Sequence, residues 1–184
     1  MKPPVLQICG YKNSGKTTLI ARLLAIFNGM NIRVAVIKHD LHGFEGDVEE
    51  TDTYKLRAAG AAATAITSPW RTAVVEEHET PLSGLIERFR SYDLILVEGF
   101  KEEPYPKLVM VNKPEDMELA QRLSGVVAMI RRGDGCEDAE EAGGSAESSV
   151  VLSAEAPNGG IPAFRADEAE EIAGFILRYC QRGR

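Results

Sequence analysis

The run Gly10-Tyr11-Lys12-Asn13-Ser14-Gly15-Lys16-Thr17 reads G-x-x-x-x-G-K-T. That spacing suits a backbone that must curl around an anion. The glycines let successive N–H groups face inward, and a helix opening near the lysine adds the positive end of its dipole. Lys16 is then placed to reach the β and γ phosphates of a nucleotide as a catalytic cation, and the Thr17 hydroxyl to coordinate Mg²⁺. Chance produces the pattern in roughly one chain in a hundred of this length before any context is demanded. Here the apolar run Val5 to Cys9 precedes the loop and a leucine-rich run follows it, the strand, loop and helix that the motif requires.

Asp93 to Phe100, DLILVEGF, supplies a companion: four apolar residues of a buried strand lead into Glu98. Ligands of open α/β sheets bind at the carboxyl edge, so Glu98 is expected to hold the Mg²⁺ shell or polarise its water, and Gly99 to let the backbone approach the terminal phosphate. Tyr11 is expected to shield the loop and Lys12 to be an exposed loop charge. His39 and His42 follow another strand-like run, Arg33 to Lys38, with Asp40 and Asp47 nearby. Two readings stand for them: metal ligation, or loop histidines satisfied by hydrogen bonds or by phosphate. Asp52 either caps the helix after it or takes part in catalysis. Asn112-Lys113-Pro114-Glu115 resembles the Asn-Lys-x-Asp guanine reader with a longer final acid, and equally suits an exposed loop after a strand.

These side chains need a sheet to hold them. Short β-rich runs occur at Val5 to Cys9, Arg33 to Lys38, Ala62 to Thr67, Thr72 to Glu77, Asp93 to Val97, Lys107 to Val111, Val126 to Ile130 and Ile161 to Phe164. Helical periodicity marks Gly15 to Phe27, Asp52 to Ala59, Pro81 to Arg90 and Asp167 to Arg182. Alternation of this kind predicts a doubly wound α/β sheet, mostly parallel, with helices on both faces. Around Ser68-Pro69-Trp70-Arg71 no helix fits between two β-prone runs, which predicts an added hairpin, either an antiparallel edge or a dimer surface presenting Trp70. Residues 133–149, acidic and then Gly-Gly-Ser, lack apolar periodicity and are expected to form a mobile loop.

A chain of 184 residues is expected to be a single nucleotide-binding domain over residues 1–184. Its net charge of -7 opposes nucleic-acid binding, which needs clustered Lys and Arg. An odd count of 3 cysteines without a Cys-x-x-Cys pair suits a reducing compartment, so a cytoplasmic location is expected. The first strand follows Met1-Lys2-Pro3-Pro4 too closely for a signal sequence, and no apolar run reaches the ~20 residues that span a bilayer, so no membrane association is expected.

Together, GYKNSGKTTL, the stretch Val36 to Ala61 (VIKHDLHGFEGDVEETDTYKLRAAGA) and DLILVEGFK resemble the molybdopterin-guanine dinucleotide biosynthesis protein B family, MobB. The resemblance runs from about Val5 to about Lys107. It implies a P-loop protein that binds GTP and Mg²⁺, hydrolyses GTP weakly and forms a homodimer. It also implies a partner, the molybdenum cofactor guanylyltransferase that joins GMP to molybdopterin, with molybdopterin or its guanine dinucleotide as a further ligand. Carried onto this sequence, it gives the phosphate-binding role to Gly10, Asn13, Ser14, Gly15, Lys16, Thr17 and Thr18 and the acidic role to Glu98. Lys38, His39, His42, Asp47 and Asp52 become candidates for Mg²⁺ or substrate contact. One departure stands out: Glu50 occupies a place, two residues before Asp52, where the family commonly has glycine.

Two other classes compete. A small-molecule kinase would share the loop and Glu98-Gly99 but should carry an Arg-bearing lid, which is not evident. An NTP-driven metallochaperone would need His39, His42 and Cys9 to converge. Slow hydrolysis is expected in the adapter reading, because no water-orienting Gln or arginine finger stands out; Arg71, Arg131 and Arg132 are the candidates.

Overall fold

The computed structural model describes residues 2–132 and 160–182. In chain order the elements are β1 (Val5–Cys9), α1 (Lys16–Gly29), β2 (Val34–Lys38), α2 (Asp52–Ala58), β3 (Ala63–Ser68), β4 (Arg71–Glu76), α3 (Leu82–Arg88), β5 (Leu94–Glu98), β6 (Lys107–Met110), α4 (Pro114–Arg122), β7 (Val126–Arg131), β8 (Ala163–Arg165) and α5 (Ala169–Arg182). The chain divides into two compact units, one of Met1–His39 with Phe89–Arg184 and the other of Asp40–Arg88. The predicted loop at 133–149 lies outside the described residues.

The larger unit is a six-stranded sheet in the order β2-β5-β1-β6-β7-β8, with every pair parallel. Alternate residues of β1 serve its two faces. Leu6 and Ile8 join Leu19, Ile20, Leu23 and Phe27 of α1 and Ile172, Ala173 and Ile176 of α5 in one core. Cys9 joins Val109, Val111 and Ala120 of α4 in another. Helices on both faces explain why β5 is continuously apolar and fully buried, as a doubly wound sheet requires. At the sheet edge β2 alternates instead, with Ala35 and Ile37 buried while Val36 and Lys38 are exposed.

Helix α4 falls where an exposed loop was one of the sequence expectations. Pro114 takes its first turn, where a missing N–H costs nothing, and the Asp116 carboxylate reaches back to accept the N–H groups of Asn112 (2.7 Å) and Lys113 (3.0 Å).

The smaller unit holds α2, α3 and the expected hairpin. β3 and β4 form a separate two-stranded sheet, so the hairpin is not an antiparallel edge of the main one. Its turn, Pro69-Trp70, is closed by Ser68, whose Oγ accepts the Arg71 N–H at 3.1 Å, and by a Thr67–Thr72 hydroxyl pair at 2.9 Å. Arg57 of α2 is bonded to Glu45 (2.7 Å) and Glu77 (2.6 Å), which ties the segment before the helix to the end of the hairpin and holds the Glu45 carboxyl below its ordinary range.

Thr51, not Asp52, caps α2: its hydroxyl accepts the Tyr54 N–H at 3.3 Å, and Asp52 is the first helical residue. Just before the cap, Glu50 has φ 68, the left-handed conformation that a glycine adopts freely and a side chain resists. Glu50→Gly is therefore expected to raise stability by about 1 kcal/mol, read as a higher midpoint in thermal unfolding; an unchanged or lower midpoint would show that the loop carries no such strain.

Candidate functional site

The carboxyl ends of the three strands on one side of the sheet stop level with one another. Ile8 and Lys38 are both register partners of Glu98. This alignment brings the loop after β1, the end of β2 and the end of β5 to one edge, beside the strand where the chain crosses from one half of the sheet to the other.

Within the loop, Gly10 is required by close approach: a Cβ there would stand 2.7 Å from Ser14 Oγ and 2.9 Å from Met110 Cβ. Asn13 (φ 60) and Gly15 (φ 88), the N-cap of α1, take left-handed conformations, and α1 opens at Lys16 with no side-chain cap on its first amides. Backbone donors and the helix dipole there favour an anion. The Lys16 ammonium donates to the Tyr11 carbonyl at 2.6 Å and to Ser14 Oγ at 3.4 Å, spanning the loop. Burial lowers its pKa below the ordinary lysine value, and neighbouring Glu98 opposes that shift.

Opposite, the Thr17 hydroxyl donates to Glu98 Oε2 at 3.0 Å, while Lys38 Nζ stands 3.6 Å from Oε1. Glu98 is almost fully buried and Lys38 half-exposed. A hydroxyl and a carboxylate in contact at a phosphate loop are the protein donors that a hard divalent cation such as Mg²⁺ takes, so the residues present fit that ion. The turn after Glu98 is pinned from within the sheet. Gln7 of β1 donates to the carbonyls of Gly99 (3.0 Å) and Phe100 (2.6 Å), and the buried Lys107 ammonium donates to those of Glu103 and Tyr105. The Gly99 N–H itself bonds Ile8 O at 3.2 Å and so is not a free donor, and a Cβ at Gly99 would stand 3.1 Å from His39 Cβ.

The structure therefore brings together Gly10, Asn13, Ser14, Gly15, Lys16, Thr17, Thr18, Lys38 and Glu98. His39 is half-buried, its ring stacked on Phe100 at 4.2 Å. Lys12 is exposed as expected, and the Tyr11 ring lies under Lys101 Nζ at 4.8 Å. His42, Asp47 and Asp52 belong to the smaller unit. There Asp47 Oδ1 accepts the Val48 N–H and the Thr51 hydroxyl, and the Thr53 hydroxyl is the main cause holding the Asp47 carboxyl below its ordinary range. Cys9 is fully buried, and burial pushes its thiol pKa up to about 11, which disfavours the thiolate a metal would need. Among the described residues no three His, Cys, Asp or Glu side chains form a cluster that could hold a metal. Also among them, no helix is long and apolar enough to cross a membrane.

Sequence reasoning did not foresee Asn112 as part of the loop's support. Its Nδ2 donates to Ser14 O at 3.0 Å and its Oδ1 accepts the Arg132 N–H at 2.9 Å. The signal was present, a polar residue ending a strand and followed by Pro and two acids, which is a helix start.

The family model for molybdopterin guanine dinucleotide synthesis protein B, MobB, matches residues 5–132. The chain belongs to the MobB family. The match extends the resemblance beyond Lys107, so that it takes in α4 and β7, and it contains the whole glycine-rich loop together with Lys38 and Glu98. A probable molybdopterin-guanine dinucleotide biosynthesis adapter protein of Bacillus subtilis is 37% identical over 133 residues, 70% of this chain and 76% of that protein. The adapter protein of that name from Escherichia coli is 35% identical over 138 residues, 69% of this chain and 79% of its own length. Among solved structures, Bacillus subtilis MobB has a TM-score of 0.69 at 28% identity, with 95% of this chain and 96% of that one covered. A MobB homologue from Bacillus stearothermophilus has a TM-score of 0.66 at 26% identity, covering 98% and 99%. The α/β fold expected of a P-loop NTPase is thus common to this chain and to MobB.

Proposed function

We propose that this chain is a GTP-binding adapter in the assembly of molybdopterin guanine dinucleotide, presenting nucleotide to the molybdenum cofactor guanylyltransferase. The observation that carries the nucleotide reading is the contact of Thr17 with Glu98 directly across from Lys16, at the mouth of a loop built around Gly10. Lys16 exchanges its contacts with Tyr11 O and Ser14 Oγ for phosphate oxygens. Thr17 and Glu98 are the residues that would hold Mg²⁺, and the ion would supply positive charge beside the terminal phosphates. Lys38, 3.6 Å from Glu98 Oε1 and half-exposed, adds a second cation beside the site. The names of the curated relatives support the adapter role and the pathway.

Hydrolysis is slow in this reading. The Gln7 amide nitrogen is spent on the carbonyls of Gly99 and Phe100, and among the described residues the cation paired with Glu98 is Lys38 and not an arginine. The protein works in the cytoplasm, where the buried Cys9 thiol remains reduced. The deciding measurement is calorimetric titration with Mg²⁺·GTP and Mg²⁺·ATP. Saturable binding with GTP preferred is the expected result; preference for ATP would redirect the search to a kinase substrate.

The chain also acts as a homodimer through its hairpin. Ile66 (57% exposed), Trp70 (89%) and Val74 (55%) place exposed apolar side chains on both faces and at the tip of that ribbon. Sedimentation should give twice the monomer mass for the wild type and a shift toward monomer for Trp70→Ala. An unchanged dimer in the variant would remove the hairpin tip from the interface.

A further inference from the structure

The exposed turn between β6 and α4 bears on which base a nucleotide in the loop must carry. β5 and β6 flank β1 on opposite sides. Glu98, at the end of β5, marks the metal side of the loop and hence the β and γ phosphates. The nucleoside end of a triphosphate laid along the loop then falls on the other side, where Asn112 follows the end of β6 at Met110. That turn is clamped at a fixed distance from the loop, because the Asn112 amide bridges Ser14 O and the Arg132 N–H.

The helix end itself is not the site. Buried Asp116 takes the N–H groups of Asn112 and Lys113, so those two amides are not offered to an anion. What it does present is Glu115, exposed and without a hydrogen bond or ion pair among the described residues. As the second residue of α4, its Cα–Cβ bond leans toward the helix N-terminus, back toward Asn112. Exposed Lys113 precedes it, with an aliphatic stem suited to covering the flat of a ring.

We propose that Glu115 selects guanine, an inference that rests on the nucleotide reading above and adds to it the group that distinguishes the base. The Watson–Crick edge of guanine offers adjacent N1–H and N2–H donors, which one carboxylate accepts as a pair. Adenine turns a bare N1 acceptor to the same place, and two acceptors face to face leave both unpaired. Glu115 has the reach for this: it is one methylene longer than aspartate and stands on the first turn of a helix.

The test is calorimetry of the full chain with the Mg²⁺ complexes of GTP, ATP and XTP, for the wild type, Glu115→Gln and Lys16→Ala. The wild type should prefer GTP to ATP. Glu115→Gln should lose about ten- to hundredfold in GTP affinity, the range of a hydrogen bond to a charged group. It should also gain for XTP, because the new amide donates to the O2 that xanthine carries in place of the guanine amino group. Glu115→Gln leaving GTP and XTP affinities unchanged, or weakening GTP and ATP equally, would overturn the assignment while the loss of binding in Lys16→Ala kept the phosphate site intact. A wild type that binds none of the three would overturn both readings together.

Discussion

Replacing Lys16 with alanine is expected to weaken Mg²⁺·GTP binding by about ten- to hundredfold or more, measured by calorimetry against the wild type. One charge-assisted contact to phosphate is worth about 1.5–3 kcal/mol, and each 1.4 kcal/mol is tenfold in affinity. The position of Lys16 sharpens this expectation. Lys16 is held by Tyr11 O and Ser14 Oγ, so it is already over the loop and little ordering remains to be done on binding. Burial lowers its pKa, and a phosphate placed beside it restores the charged form. The fold should not suffer, since Lys16 is the first residue of α1 and not among its buried face of Leu19, Ile20, Leu23 and Phe27. Unaltered affinity in a folded Lys16→Ala protein would sink the phosphate-loop assignment.

The second large effect is expected at Glu98, and its sign depends on the metal. Glu98→Gln keeps an oxygen for the Thr17 hydroxyl but removes the charge that faces Lys38 and that a bound Mg²⁺ would need. With Mg²⁺ present, GTP affinity should fall, and hydrolysis should fall by roughly 10²–10³, the scale on which removal of one preorganised electrostatic contact is felt. With the metal chelated the order should reverse, because the wild-type carboxylate then faces the triphosphate with like charge and the variant does not. A crossover of the two proteins between magnesium and chelator is the expected result. Parallel losses in both conditions would mean that Glu98 supports the loop structurally and does not hold the ion. Loss of the Lys38 pair should matter little to stability, since Lys38 is 55% exposed and such pairs contribute about 0–1 kcal/mol.

The histidines show how far residue types alone carry an argument. His39 and His42 are close in sequence and suggested a metal pair, yet the chain passes from one compact unit to the other between them, at His39 and Asp40. The His39 ring is stacked on Phe100, which itself takes the left-handed φ of 51. Nothing in local spacing encodes a partner 61 residues away. Glu50 runs the other way: its departure from a glycine was visible in the sequence, but that the backbone keeps the glycine conformation was not.

By itself the sequence determined the glycine-rich loop between a strand and a helix, the acidic strand end and the alternating α/β order. Each of these rests on local physics: glycine spacing, an apolar run of strand length, a helix period. The hairpin was legible for the same reason, since two β-prone runs around Pro69-Trp70 leave no length for a helix. Only the tertiary structure decided that the hairpin stands as its own sheet and that Ile8, Lys38 and Glu98 end level. It also decided that Asn112 clamps Ser14 across a sequence separation of 98. Strand order and register are set by how apolar faces pack and by which buried polar groups find partners. Those are properties of the whole sheet, and no single segment carries them.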